Sequence, residues 1–141
     1  IQQRYQAIPG IVPDELTIIS SDLRRGKPIM ATIQKFYGGN IKDLFHDFSQ
    51  KELIELFKRE PGLAEQFKQF QQITEKEYND KGVTIDFPGD KNLSIIETEA
   101  GPKLIILDPH SSVSKESEHE RIEAQGECLQ TLRNIFDAVS A

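Results

Sequence analysis

The chain has 141 residues, of which 37% are hydrophobic and 28% charged, and its formal net charge is −6. This is the length of one domain with a core of its own. The acidic charge excludes nonspecific nucleic-acid binding, which needs a basic face, and no apolar run is long enough to cross a membrane. We therefore expect a soluble protein, with the cytoplasm as the expected compartment. The chain starts at Ile1 rather than at Met, which indicates a fragment of a larger protein.

The N-terminal part of the chain predicts a β-hairpin and a short helix. Residues 15–20 (ELTIIS) and 28–36 (PIMATIQKF) are rich in Ile and Thr and flank a polar segment, a pattern typical of paired strands. Residues 41–48 (IKDLFHDF) have the apolar spacing of a short amphipathic helix. A strand pair is thus expected to lead directly into helical structure.

Two further helices are predicted from their end signals. Ser49 and Glu52 have the spacing of a capping box, which predicts the start of a helix. Pro61 suits the first turn of a longer helix that runs to about residue 80. Gly82 is placed to end that helix in the left-handed conformation. These helices are expected to form the body of the domain.

The C-terminal half predicts a second hairpin and a last helix. A short apolar strand leads to Asp86, and a Pro-Gly-Asp-Lys turn then separates it from the strands 93–98 (LSIIET) and 103–108 (KLIILD). Residues 111–120 are polar and charged, as in a solvated linker or a helix start. Residues 121–139 have the apolar spacing of an amphipathic helix. The predicted fold class is α+β, with an N-terminal hairpin, a helical body, a second hairpin and a C-terminal helix.

Three residues in this half have the chemistry that phosphoryl transfer needs. Such transfer uses one carboxylate to orient the acceptor hydroxyl, and an amide with a second carboxylate to hold Mg²⁺ on the phosphates. Asp86, Asn92 and Asp108 occur in that order, separated by a loop and a hairpin. The arrangement resembles the catalytic loop and metal-binding segment of the protein-kinase-like superfamily. The resemblance implies a catalytic Asp86 and the metal ligands Asn92 and Asp108.

The segment that precedes the helices resembles the kinase hinge. Residues 33–39 (IQKFYGG) have the apolar, amide and glycine positions of that connection. The resemblance implies that backbone groups of Gln34 and Phe36 hold adenine. It divides the single domain 1–141 into the end of a small lobe with the hinge (1–39) and a C-terminal lobe (40–141).

The resemblance implies an ATP-dependent phosphotransferase that uses Mg²⁺ in the full-length parent protein. Its partners would be the nucleotide, a protein or small-molecule acceptor that the sequence does not identify, and the missing N-terminal lobe. The Gly-rich loop, the third-strand Lys and its helix Glu partner are absent from this sequence. We therefore expect no activity from this chain alone.

The alternative function is a non-catalytic pseudokinase or a protein-interaction module. Thr84 and Ile85 stand before Asp86, where the family has His-x. Asp86 and Asn92 are six positions apart, where the family has five, and Asp108 precedes Pro-His instead of Phe-Gly. The loop also has the Asp, Pro, Gly and Asn composition of an ordinary reverse turn. Both the catalytic and the structural interpretation of the loop thus stay open.

Four other residues with metal or nucleophile chemistry have simpler interpretations. Cys128 falls in the apolar pattern of the last helix, which favours a buried thiol over a reactive one. His46, His110 and His119 are scattered and lack the spacing of a zinc site. We expect these histidines to be ordinary surface or helix residues.

Overall fold

The computed structural model describes residues 5–22, 26–35, 37, 40–108, 112–114, 117 and 119–141. Within these ranges the fold is α+β, with small antiparallel sheets and three helices, which confirms the predicted fold class. The strands are β1 (Glu15–Asp22), β2 (Lys27–Gln34), β3 (Ile41–Asp43), β4 (Val83–Ile85), β5 (Leu93–Thr98), β6 (Gly101–Ile106) and β7 (Ser112–Ser114). The helices are α1 (Gln50–Arg59), α2 (Pro61–Lys81) and α3 (His119–Ser140).

The predicted N-terminal hairpin is confirmed as an antiparallel pair, β1 with β2, that packs mainly on itself. Its register runs from Glu15 opposite Gln34 to Asp22 opposite Lys27. Among the described residues, the large apolar side chains that are exposed all lie on this hairpin: Leu16, Ile18, Ile19, Ile29, Met30 and Ile33. The hairpin therefore presents apolar surface that no other described element covers.

The prediction of a helix over residues 41–48 is wrong. The chain instead forms the short strand β3, which pairs with β5, and then turns. One carboxylate oxygen of Asp43 accepts the N–H groups of Phe45 (2.8 Å) and His46 (3.0 Å). An Asp that binds backbone groups two and three residues ahead favours a turn over a helix, which explains the difference.

The end signals of α1 and α2 are confirmed. The Ser49 side chain accepts the Glu52 N–H (3.3 Å), and the Ser49 N–H donates to the Glu52 carboxylate (2.8 Å). Pro61 begins α2, and Gly82 follows its last residue with a φ of 64°. That backbone angle lies in the left-handed region, where glycine has no steric penalty.

Within the described part of the chain, five aromatic side chains are buried among the aliphatic residues of the core. Phe57 of α1 stacks on Phe67 of α2, with the ring centroids 4.5 Å apart. Phe70 of α2 contacts both Tyr5 (5.5 Å) and Phe87 (6.0 Å). Phe87 belongs to the loop after β4, so the core fixes that loop through a fully buried ring.

A third antiparallel pair, β4 with β7, lies beside α3. Val83 is opposite Ser114, and Ile85 is opposite Ser112. The strand β7 falls within the segment 111–120, which the sequence analysis interpreted as a linker or helix start. A segment of three residues, one of which is the buried Val113, is too short a pattern to indicate a strand. The predicted C-terminal helix is confirmed as α3, and no helix among the described residues is long and apolar enough to span a membrane.

Candidate functional site

The loop that carries two of the predicted site residues begins directly after β4. The N–H of Phe87 donates to the Ile85 carbonyl (3.0 Å), and the N–H of Asn92 donates to the Gly89 carbonyl (2.9 Å), which closes a turn. Within that turn Lys91 has a φ of 59°, a conformation that costs free energy for a residue with a side chain. The loop is therefore held in one defined shape and does not follow local preference alone.

A buried carboxylate at the end of the neighbouring strand β3 anchors this loop. Asp43, 2% exposed, accepts the Lys91 N–H at 2.5 Å through the oxygen that does not bind Phe45 and His46. A carboxylate that accepts several N–H groups fixes the positions of those groups. Asp43 thus fastens the predicted catalytic loop to the end of β3.

Asn92 lies at the start of β5 and connects the two ends of the loop. Its Nδ2 donates to the Asp86 carbonyl at 2.6 Å, and its own carbonyl accepts the Leu107 N–H at 2.9 Å. The side-chain amide nitrogen of Asn92 is thus used in a hydrogen bond within the loop. The side-chain amide oxygen is the atom of this group that could bind a metal ion. Asn92 thus has a structural role, which is compatible with its predicted metal-binding role.

The Asp86 carboxylate forms an ion pair with α3. Its Oδ2 lies 2.9 Å from Nη2 of Arg121, and the two side chains are 19% and 43% exposed. This ion pair fixes the position of the Asp86 carboxylate, because a guanidinium presents its donors in a rigid geometry. The sequence analysis did not identify Arg121 as a partner of Asp86.

Asp108 is exposed and lies two residues beyond the end of β6. At this end of the hairpin Leu93 pairs with Ile106, and the Leu107 N–H donates to the Asn92 carbonyl. Asp108 therefore lies at the same end of the hairpin as Asn92, the residue directly before β5. Ile85, which precedes Asp86, pairs with Ser112, which lies four residues after Asp108 in the sequence. Hydrogen bonds thus bring the backbones of Asp86 and Leu107 to Asn92 at one edge of the domain.

A cleft of about 280 Å³ opens beside this edge. It is lined by Asp86, Pro88, Gly89, Glu120, Arg121 and Ala124. A neighbouring cavity of about 410 Å³ shares Pro88 and Ala124 with the cleft and extends along α3 past Phe45 and Cys128. The Asp86–Arg121 ion pair is therefore accessible to a small polar molecule that enters the cleft.

The predicted adenine-binding residues are only partly within the described residues. Gln34 ends β2, and its Nε2 donates to the Glu15 carboxylate at 3.1 Å. Phe36 lies outside the described residues. The neighbouring Lys35 ammonium lies 5.6 Å from the centroid of the Tyr37 ring. The role of the hinge backbone in nucleotide binding stays a prediction.

Asp43, His46 and Asp90 form a cluster with metal-ligand chemistry, in which one potential ligand atom from each residue lies within 4.8 Å of the others. His46 Nδ1 lies 3.0 Å from an Asp43 oxygen that also accepts two backbone N–H groups. The hydrogen bond and charge of Asp43, with smaller contributions from Asp90 and Asp47, raise the pKa of His46. The Asp43 carboxylate thus already has protein partners, so we interpret the cluster as the centre of a turn.

Cys128 lines the larger cavity but lacks the properties of a nucleophile. Burial, with smaller contributions from Glu127, Asp43 and Asp86, raises the pKa of its thiol to about 11. The reactive form of cysteine is the thiolate, which is scarce at neutral pH when the pKa is this high. The raised pKa agrees with the expectation of an unreactive thiol, although the side chain is half-buried and not fully buried as expected.

Three residues around the loop were missed by the sequence analysis: Asp43, Arg121 and Gln125. Asp43 and His46 have a local signal, the spacing of an Asp that caps a turn, but their apolar neighbours favoured a helix. Arg121 lies in the charged segment 115–123, which is typical of a solvent-exposed helix face, and Gln125 is a polar residue among the apolar positions of the predicted helix. Nothing in the local pattern distinguishes a helix residue that contacts a loop from one that faces water.

Comparison of the chain with protein-family models, with curated proteins and with solved structures finds no match.

Proposed function

We propose that this chain is the C-terminal lobe of an atypical kinase-like phosphotransferase, which transfers the γ-phosphoryl group of ATP to an acceptor hydroxyl. The observation that carries the proposal is the pair of antiparallel ladders, β4 with β7 and β5 with β6. In support of the proposal, Asn92 is hydrogen-bonded to the Asp86 carbonyl and to the N–H of Leu107, the neighbour of Asp108, and Asp86 lines an open cleft. That set of groups is sufficient for orienting an acceptor and holding a metal ion.

Each residue has a distinct role in this proposal. Asp86 orients the acceptor hydroxyl and accepts its proton, for which its carboxylate must be ionised. The Asn92 amide oxygen and the Asp108 carboxylate would hold Mg²⁺, because this ion prefers oxygen ligands. Bound Mg²⁺ would neutralise the charge that develops on the phosphate oxygens. Backbone groups of Gln34 and Phe36 would hold the adenine.

Nucleotide affinity tests the lobe assignment. In the kinase-like family most contacts to the phosphates come from the small lobe, so this chain alone should bind Mg-ATP weakly or not measurably in calorimetry. A parent protein that includes sequence upstream of Ile1 should bind Mg-ATP more tightly. Equal and tight binding by both would contradict the assignment of this chain to the C-terminal lobe.

The substitution Asp108→Ala in the parent protein tests the reaction. Positioning and electrostatic stabilisation supply most of the acceleration of phosphoryl transfer, so the rate should fall by orders of magnitude. The free energy of unfolding should change by about 0.5 kcal/mol or less, as for most exposed side chains. Asp80→Ala, an exposed acid on α2, is the matched control and should leave both values unchanged. An active parent whose rate survives Asp108→Ala would remove Asp108 from the site.

A second candidate is a non-catalytic scaffold of the pseudokinase or interaction-module type. It is favoured by the uncovered apolar surface of the β1–β2 hairpin, since contiguous exposed apolar patches mark interaction sites. In that case the parent has no transfer activity, and binding of its partner is unaffected by Asp108→Ala. The two candidates thus predict opposite results for the same variant.

A further inference from the structure

Two side chains of α3, one helical turn apart, bind the residues at the entry to the Asp86 loop. Arg121 Nη2 lies 2.9 Å from the Asp86 carboxylate. Gln125 Nε2 donates to the Ile85 carbonyl at 2.9 Å and also to the Thr84 hydroxyl. Residues four apart on a helix lie on the same face, so α3 holds three consecutive residues, 84 to 86, from one side.

These contacts differ in their surroundings. Gln125 and Thr84 are at most 2% exposed, so their hydrogen bonds fix the backbone of β4 within the core. The Arg121–Asp86 pair lies at the wall of the 280 Å³ cleft, and its guanidinium is 43% exposed. Gln125 thus holds the backbone of β4 in position, whereas Arg121 contacts the Asp86 carboxylate at the wall of the cleft.

We propose that Arg121 is a positioning residue for Asp86, an inference that rests on the phosphotransferase function proposed above. In the reaction the acceptor oxygen forms a bond to the γ-phosphorus of ATP, and the bond from that phosphorus to the β,γ-bridging oxygen breaks. ADP leaves with the electron pair of the broken bond, and the acceptor proton passes to the Asp86 carboxylate. This proton acceptor must be held within a narrow range of positions, which a planar guanidinium with fixed donors can impose.

The positioning role predicts a specific kinetic effect. Arg121 does not belong to the residues proposed to hold Mg²⁺ or adenine, so its removal should lower kcat and leave the KM for Mg-ATP within about twofold. A displacement of about 1 Å at the reacting groups costs up to about 100-fold, so we expect kcat to fall roughly 10- to 100-fold in Arg121→Ala. Guanidinium added at concentrations that do not unfold the protein should restore part of the rate.

The experiment compares Arg121→Ala and Arg121→Lys with Arg59→Ala in the parent protein. Arg59 is exposed and lies 3.5 Å from Glu60, so its variant controls for the loss of a surface arginine in an ion pair. Initial rates of ADP formation from Mg-ATP and thermal midpoints are measured for all four proteins, including the wild type. A kcat for Arg121→Ala within twofold of wild type would overturn the proposal, as would a loss that follows thermal stability and is not rescued by guanidinium.

A second measurement separates this inference from the proposed function. The ¹³C resonance of the Asp86 carboxyl carbon, recorded on this chain without nucleotide, should move in Arg121→Ala and stay unchanged in Arg59→Ala. A parent without any turnover would overturn the phosphotransferase function and, with it, the proposal that Arg121 positions Asp86 for the reaction. The carboxyl resonance would then still decide whether Arg121 orients Asp86, because an unmoved signal would refute that contact.

Discussion

At the scale of single residues, the site depends on side chains that hold the backbone of one loop. The amide of Asn92 binds the Asp86 carbonyl, and the buried carboxylate of Asp43 binds the Lys91 N–H. Neither bond involves the atoms proposed for catalysis or metal binding. Substitutions that break these two hydrogen bonds should therefore change the stability of the loop without removing a proposed catalytic or metal-binding atom.

Gly89→Ala should displace the Asn92 amide. A Cβ at position 89 would overlap Asn92 Nδ2, so the side chain must move away from the Asp86 carbonyl. Loss of that hydrogen bond should lower the free energy of unfolding by about 1 to 2 kcal/mol, measured by urea denaturation. Gly126→Ala is the control, because a Cβ there meets no atom within 4 Å and alanine should stabilise α3 by about 0.5 to 1 kcal/mol. Equal stability of Gly89→Ala and wild type would contradict this role of Gly89.

His46 should make the stability of the domain dependent on pH. Its hydrogen bond to Asp43 raises the pKa above 6.5 in the folded state, so the folded protein binds the proton more tightly than the unfolded chain. The resulting stabilisation is complete below about pH 6.5 and is lost as the pH rises through the folded-state pKa. Because the side chain is 60% exposed, solvent screening keeps the effect small.

Urea denaturation of wild type and His46→Gln at about pH 5.5 and about pH 8.5 measures this contribution. The difference in unfolding free energy between the two proteins should be larger at the lower pH. Asp80→Asn is a charge-changing control on an exposed part of α2. A difference that is independent of pH, or larger at the higher pH, would contradict the assignment.

At the scale of elements, helix ends and strand ends determine where the site residues lie. The capping box at Ser49 begins α1 directly after the turn that Asp43 organises. Gly82 ends α2 and allows β4 to start at the next residue. Four residues thus separate the end of this long helix from Asp86.

Ser49→Ala should destabilise α1. The substitution removes the oxygen that accepts the Glu52 N–H, and loss of such a cap costs about 0.5 to 2 kcal/mol. The lowered pKa of Glu52, caused first by its hydrogen bonds to Ser49, should move back towards its ordinary value. Ser140→Ala, an exposed change at the end of α3, should alter the unfolding free energy by less than about 0.5 kcal/mol. An unchanged stability of Ser49→Ala in urea denaturation would show that tertiary packing alone sets the start of α1.

At the scale of the whole molecule, one part of the described chain lies outside the common core. The hairpin β1–β2 exposes apolar side chains, and residues 16–21 and 28–33 contain no charged side chain. An isolated two-stranded hairpin is marginally stable in water, and uncharged strand edges favour association. The helices and the other strands, by contrast, bury their large apolar residues in one cluster.

The double variant Ile19→Lys with Met30→Glu should reduce self-association of this chain. These residues are opposite each other and are 75% and 65% exposed, so the new charges can pair across the hairpin without changing the net charge. Sedimentation velocity over a range of concentrations should show less association than for wild type. The variant Gln130→Glu with Asn134→Lys adds the same charges to an exposed face of α3 and should behave as wild type. A wild type that stays monomeric at high concentration would contradict the prediction.

The sequence by itself determined the elements that depend on local interactions. The three helices, the two hairpins, the capping box at Ser49 and the terminating Gly82 were predictable, because their signals lie within a few residues of one another. The residues Asp86, Asn92 and Asp108 could also be selected as candidates from their chemistry and order. Their residue types and their order in the sequence do not depend on the tertiary contacts around them.

Only the tertiary structure decided how the candidate site is held. The Asp43–Lys91 bond joins residues 48 positions apart, and the Arg121–Asp86 pair joins residues 35 positions apart. The strands β3 and β7 have three residues each and exist because distant strands pair with them. Such contacts leave no periodic pattern along the chain, since their free energy depends on which surfaces the packed core brings together.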